Sequence, residues 1–537
     1  MPFQVIPPGR VPHDSLGFIL RQDNWNDFSY QTLYQLYHGI GSGDPTLIGD
    51  VKILRRGQAP SDTLQLKVGP IGDLDENFCS IGQSLDYYER LATLDEPIRI
   101  SVLSGLRDVI KHPDLVKEFE EEEGWRTSLF RTLDRDFVPT ARALVERDYT
   151  ALPGSDLRFS FHAAGWEDRI DFNFSAPPSQ LNDIFAMPGE NRPKLPARLA
   201  VLIGRNGSGK STLLARLARV AHASARDRAK LENLGTLDPG GLGFTRIVTI
   251  SYSAFDSFAA PGITSEERLQ VAKEIRSGTG RYMFCGLRDL ALEMDEPASS
   301  SDGETELDRL PTNRIKSLDR LTDEFAEAIN RIEQADRLGT LRRCSLPLFL
   351  DPSLYSSNSP DIMSFLSGNV RQKFHSLSTG HKIAFHVIAS VVSYAERKAL
   401  ILFDEPETHL HPPLLAALMH SLRFALNELQ AFAVVATHSP VVLQETLASQ
   451  VHKIVRVGES GRVFPPEIET FGESIGAITN EVFALDTEAT DYHSILRALA
   501  RSYRDLEPIE LLFPQGLSTQ ARAYVMSILA STPRSET

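Results

Sequence analysis

The stretch "GRNGSGKS", Gly204 to Ser211, restricts what this chain can become more than any other. It matches the pattern GxxxxGK[ST] and sits between a continuous apolar run, "LPARLAVLIG", and the segment "STLLARLARVAHASARDRAKL", where Leu213, Leu214, Leu217 and Val220 share one side. That order predicts a strand buried on both faces, a tight turn and an amphipathic helix. Glycines at 204, 207 and 209 let backbone N–H groups close around phosphate oxygens, and the helix N-terminus adds partial positive charge. The cradle comprises Gly204, Arg205, Asn206, Gly207, Ser208, Gly209, Lys210, Ser211 and Thr212. Lys210 reaches the β and γ phosphates, and the Ser211 hydroxyl ligates Mg²⁺. ATP with Mg²⁺ is the expected ligand.

A second strand, Ala399 to Phe403, runs straight into "DEPETHLHPP". Two adjacent carboxylates at the end of a buried strand are costly to desolvate unless something offsets their charge. A P-loop sheet supplies the reason: Asp404 holds the metal together with Ser211, and Glu405 orients or deprotonates the attacking water. An exposed acidic turn would not follow five apolar residues so directly.

Three further stretches narrow the class. "SLSTGHK", Ser376 to Lys382, precedes the apolar helix "IAFHVIASVVSY". Its "LSTGH" resembles the LSGGQ signature of ABC-type ATPases: Leu377, Ser378 and Gly380 match, whereas Thr379 and His381 depart. A serine hydroxyl and glycine N–H groups at a helix N-terminus form a second anion site. The resemblance implies that Ser378, Thr379 and Gly380 act on the nucleotide of a second copy, and hence a homodimer or higher homo-oligomer. "ATHSP", Ala436 to Pro440, ends the next strand; the ABC pattern gives His438 a contact to the γ-phosphate, beside Glu405 and Lys210 as the catalytic set. With "GRNGSGKS", the pair "DEPETHLHP" and "ATHSP" is similar to the OLD/RecF-like branch of ABC ATPases, the group that includes the ATPases of the Septu and Gabija anti-phage systems. The resemblance covers roughly 155–450, and "ETFGESIGAITNEVFAL" in the tail also looks like this group.

Where ABC ATPases usually have a glutamine after the strand following the P-loop, the sequence reads "SYSAFDSF", leaving Ser251, Ser253 or Asp256 for the role. OLD nucleases carry a metal-binding toprim domain after the ATPase; here fewer than 100 residues follow Pro440, and "FALDTEATDY" lacks the spacing of a two-metal site. A metal site from His409, His411 and His438 is disfavoured because positions i and i+2 do not share a helix face. No GxSxG elbow points to a serine hydrolase.

The remaining bounds come from composition. The chain has 537 residues, 42% hydrophobic and 24% charged, enough for more than one core. A net charge of −15 excludes a broadly basic surface and confines any DNA contact to a strip, such as "RIKSLDR", "DRLGTLRRC" or Arg216 with Arg219. Three distant cysteines give no disulfide framework, the N-terminus has no secretory pattern, and no uncharged apolar stretch spans a bilayer, so a cytoplasmic protein without a membrane partner is expected. The run Glu120 to Glu123 reads as a solvated helix face.

The expected fold is α/β: an ABC-type P-loop NTPase with a mixed, mostly parallel sheet, a helical insertion and an additional α+β N-terminal region. The divisions fall at 1–150, 151–258 with the P-loop, 259–370 as a mainly helical insertion, 371–450 with signature, acidic pair and His438, and a 451–537 tail alternating strand and helix. The flexible loop "EPASSSDGETE" interrupts the insertion. The resemblance implies a nucleotide-gated dimeric switch, the regulatory ATPase of an anti-phage system controlling a separate effector nuclease, with no nuclease activity of its own. The alternative is a RecF-like repair ATPase that clamps DNA; a transporter subunit is weakened by the missing glutamine.

Overall fold

The computed structural model describes residues 2–10, 12, 15–154, 156–175, 196–294, 314–351, 362–458, 460–483 and 491–531. The expected loop "EPASSSDGETE", the Pro177-Pro178 strand end and residues 484–490 of the acidic tail segment lie outside these. The described chain forms two compact units, Met1–Glu473 and Ser474–Thr537.

The first 150 residues build a six-stranded sheet from β1 (Phe3–Ile6), β2 (Leu16–Gln22), β3 (Leu33–Ile40), β4 (Thr46–Arg55), β5 (Gly69–Ile71) and β6 (Phe78–Gly82), in the order β5-β1-β2-β3-β4-β6. Apart from the parallel β1–β2 pair, its neighbours run antiparallel. One apolar core joins this sheet to the helices Leu85–Ala92, Glu96–Gly105 and Phe137–Glu146. The run Glu120 to Glu123 faces solvent largely from a turn, not the expected helix, between Leu115–Phe119 and the short π-helical Trp125–Leu129.

The expected hairpin is present as β7 (Arg158–Ala163) and β8 (Ile170–Asn173), paired antiparallel. Past it come β9 (Leu199–Ile203), β10 (Gly235–Asp238), β11 (Ile247–Ser251), β12 (Tyr282–Gly286), β13 (Leu400–Asp404), β14 (Phe432–Thr437), β15 (Val451–Val457) and β16 (Ser460–Phe464). Strand β10 extends the hairpin into a three-stranded sheet. The others form a seven-stranded sheet ordered β12-β11-β13-β14-β9-β15-β16, parallel throughout except for the β15–β16 hairpin. Every residue of β9, β11, β12, β13 and β14 is buried, as continuous apolar strands covered on both faces should be. The fold is therefore a mixed, mostly parallel α/β P-loop architecture with an α+β N-terminal region.

Two parts differ from expectation. The insertion over 259–370 contains β12, because "RYMFCG" adds an edge strand to the parallel sheet between helix Ser265–Ser277 and the helices beyond. The tail does not alternate: β15 and β16 join the main sheet, and the described elements after Phe464 are helices.

Candidate functional site

The cradle starts where β9 ends. Gly207 and Gly209 hold φ of 77° and 94°, left-handed values that favour glycine, and helix Lys210–His222 begins directly after. A side chain at Gly204 would put its first carbon 2.3 Å from the Ile454 carbonyl oxygen on the neighbouring β15, so glycine is required there too. Leu213, Leu214, Leu217 and Val220 are buried and anchor the helix onto the sheet, which fixes the aim of its N-terminus.

Lys210 is 4% exposed. Its Nζ donates to the carbonyls of Gly204 at 3.0 Å and Arg205 at 3.2 Å, reaches Ser208 Oγ at 3.4 Å, and lies 3.4 Å from His438 Nδ1. Burial pushes the Lys210 ammonium down to about 8, opposed by the negative charges of Asp404, Glu405 and Glu407. Ser211 Oγ donates to Asp404 Oδ1 at 3.0 Å. Asp404 ends β13 and is buried, which raises its carboxyl to about 7; the Ser211 hydrogen bond works against this, and the charges of Glu405 and Asp256 add to it.

Glu405 follows with a left-handed φ of 48° and donates its N–H to the Ala436 carbonyl at 2.8 Å, turning its side chain off the strand line. Its Oε1 lies 3.6 Å from His438 Nε2. The histidine holds the Glu405 carboxyl below the usual carboxylate value, so it stays in the proton-accepting form. Lys210, Ser211, Asp404, Glu405 and His438 thus converge from β9, β13 and β14, whose ends are brought together by the register Asp404↔Ala436 and Thr437↔Ile203.

Arg205 and Asn206 are exposed on the loop, Ser208 is buried within it, and Thr212 is half-buried on the first helical turn. The signature residues stand elsewhere. Ser378 caps helix Thr379–Tyr394, its Oγ accepting from the His381 N–H at 3.3 Å and lying 2.8 Å from His381 Nδ1. Ser378 and Thr379 are exposed, and Gly380 packs against His409, Leu410 and Leu414.

Of the three polar residues after β11, Ser251 is the register partner of Asp404. Ser253 Oγ accepts from the Phe255 N–H at 3.2 Å. Asp256 is buried against Arg288 at 2.5 Å, and its charge reaches Asp404. The basic stretches pair internally: Lys316 with Glu324, Arg337 with Glu396 and Arg343 with Glu428, while Arg216 donates to the Ala164 carbonyl.

Two residues escaped the sequence reading. Trp166, at the hairpin turn, lines a cavity of about 180 Å³ with Ser208, Gly209, Thr212, Arg216 and Arg456. Glu407 accepts from the Thr437 hydroxyl at 2.8 Å and from the His438 N–H at 2.5 Å. Its nearness to Asp404 and Glu405 in sequence was the available signal; Trp166 offered none, because only the fold brings it to the cradle.

A relative of nearly the same length matches along almost the whole chain. Protein ea59 of Escherichia phage lambda is 32% identical over 534 residues, covering 95% of this chain and 94% of that protein. The chain belongs to the ea59 family. Within this ea59-like chain, residues 295–444 match the AAA_21 family, described as "AAA domain, putative AbiEii toxin, Type IV TA system", a span that contains the signature turn, the acidic pair and His438. The chain thus carries a P-loop ATPase domain. A metal-chelate type ABC transporter in an inward-facing conformation aligns over 57% of this ea59 relative and 83% of its own chain, at 15% identity and a TM-score of 0.25. Among the described residues no helix is long and apolar enough to cross a membrane.

Proposed function

We propose that the chain hydrolyses ATP and works as a nucleotide-gated homodimeric switch. The convergence of Lys210, Ser211, Asp404, Glu405 and His438 carries this reading. Two features fit the groups that would bind: Lys210 rests on neutral carbonyls that a phosphate oxygen outcompetes, and a buried Asp404 beside a serine hydroxyl is short of the positive charge that Mg²⁺ brings. Bound Mg²⁺, held by Asp404 and Ser211, supplies charge neutralisation on the phosphates. The chain does the rest. Lys210 and the loop N–H groups orient the triphosphate, Glu405 takes the proton of the attacking water, and His438 steadies Glu405 and faces the γ-phosphate. Trp166, which lines the cavity beside the cradle with Arg216 and Arg456, is the proposed aromatic partner of the base.

Exposed Ser378 and Thr379 at a helix N-terminus support a second copy closing over the cradle. The test is sedimentation with and without ATP using Glu405→Gln, which should bind without turning over. A dimer formed only with ATP is expected; monomers at saturating ATP contradict the switch.

An anti-phage role with a separate effector nuclease is a further proposal. The AAA_21 description, which names a toxin–antitoxin system, fits such a role, whereas a relative carried by phage lambda weighs against it. Plaque counts on cells expressing the chain with its neighbouring genes decide: a fall that Lys210→Ala abolishes supports defence, and unchanged counts oppose it.

A further inference from the structure

Glu407 has no part in the chemistry above, yet one carboxylate orders three consecutive residues. Its two oxygens accept from the Thr437 hydroxyl at 2.8 Å and the His438 N–H at 2.5 Å. The buried Thr437 hydroxyl in turn accepts from the Ser439 N–H at 2.9 Å. The His438 ring meets Lys210 at 3.4 Å and Glu405 at 3.6 Å, at the outer edge of polar contact. A shift of the β14 end by a few tenths of an ångström therefore makes or breaks both contacts.

The turn that carries Glu407 is itself tightly bound. Thr408 N–H donates to the Glu405 carbonyl and Leu410 N–H to the Glu407 carbonyl, each at 3.0 Å, while Glu405 and His409 take left-handed φ values of 48° and 65°. Its far side abuts the signature helix. A methyl group in place of the Gly380 hydrogen would lie 3.1 Å from the His409 carbonyl oxygen and 3.3 Å from the Leu414 side chain. One short turn therefore touches the signature helix on one side and holds His438 on the other.

We propose that Glu407 is a positioning residue that keeps His438 against Lys210 and Glu405 and passes on to it any shift of the turn imposed at Gly380. The inference rests on the ATPase reading above. Glu407 also favours the charged form of Lys210, so a variant must separate its clamp from its charge. Thr437→Val does so: it removes one leg of the clamp and leaves the carboxylate.

The experiment measures kcat and KM with Mg²⁺ and ATP, and equilibrium binding of a fluorescent ATP analogue. Glu407→Ala should lower kcat by about 10²-fold, the penalty of a misplaced group, with KM and analogue Kd unchanged. Thr437→Val should give a smaller loss, and the two losses should not add, because they cut the same clamp. Glu407→Gln should recover part of the rate through its amide oxygen. Gly380→Ala should slow the wild type and cost less in Glu407→Ala, because the part of its effect relayed through Glu407 is gone. Wild-type kcat in Glu407→Ala, or in Glu407→Gln and Thr437→Val if the alanine variant does not fold, overturns the inference. So does a loss of binding that parallels the loss of turnover, and additivity of Gly380→Ala with Glu407→Ala overturns the relay. A wild-type protein that binds ATP but never turns it over refutes the ATPase reading and the inference with it.

Discussion

Lys210 lies where a cation is costly to keep without an anionic partner, with three acidic side chains biasing it toward the charged state. Lys210→Ala should therefore lose turnover by at least about 10²-fold, the scale of removing one preorganised donor; a purified variant hydrolysing ATP at the wild-type rate contradicts the cradle. Glu405→Gln keeps shape and binding but removes the proton acceptor, so hydrolysis should slow by about 10²–10⁴-fold while analogue binding persists. Trp166→Ala should weaken nucleotide binding by about 1–3 kcal/mol, the worth of one aromatic–base stack, as measured by competition against the fluorescent analogue; unchanged affinity places the base elsewhere. These residues differ in how visible they are in the sequence. Lys210 and Ser211 are legible because the cradle is contiguous and its chemistry permits few substitutions. Trp166 is not, because it reaches Gly209 and Gly461 only through the packing of the hairpin and β16.

Among elements, the buried parallel strands were legible because five apolar residues between polar turns leave few alternatives. Strand β12 was not, lying in a charge-rich region where helical patterning dominates its surroundings. For strand β15 the tail's strand pattern was legible but its place beside β9 was not, because that place is set by long-range pairing in which only three of its residues share the ladder. Helix Leu85–Ala92 is a different case, since its sequence reads as amphipathic but the fold buries all eight residues. Its polar face meets partners both inside and beyond the N-terminal region: Glu89 accepts from Arg147 and, at 2.8 Å, from Arg246 just before β11, and Arg90 pairs with Glu274 of helix Ser265–Ser277 at 2.6 Å. Removing Glu89 leaves arginine charge without its counterpart. Glu89→Ala should cost about 3 kcal/mol, the lower end for a broken buried pair because the Arg147 side chain is 38% exposed. Chemical denaturation checks this; a loss within experimental error means water replaces the pair.

For the molecule as a whole, the N-terminal region sets a pH dependence of stability. Burial raises the Asp108 carboxyl from 3.8 to about 7, although it accepts from the Ile110 N–H at 2.8 Å and from the Tyr88 hydroxyl. Between those values the folded chain keeps a proton that the unfolded chain has released. This group's contribution to stability therefore falls as pH rises from 3.8 to about 7 and levels off above. In Asp108→Asn that slope is absent, so its melting temperature should gain on the wild type as pH rises through the window; a constant difference contradicts the assignment. The same region grips the sheet at one end. Arg246, Arg281 and Lys398 lie just before β11, β12 and β13, and they pair with Glu89, Asp86 and Asp136. The cradle, Asp404 and His438 lie at the opposite, carboxyl ends of the parallel strands. On the ATPase reading, a displacement of residues 1–150 would therefore act on the base of these strands, a full strand length from the cradle and the acidic pair.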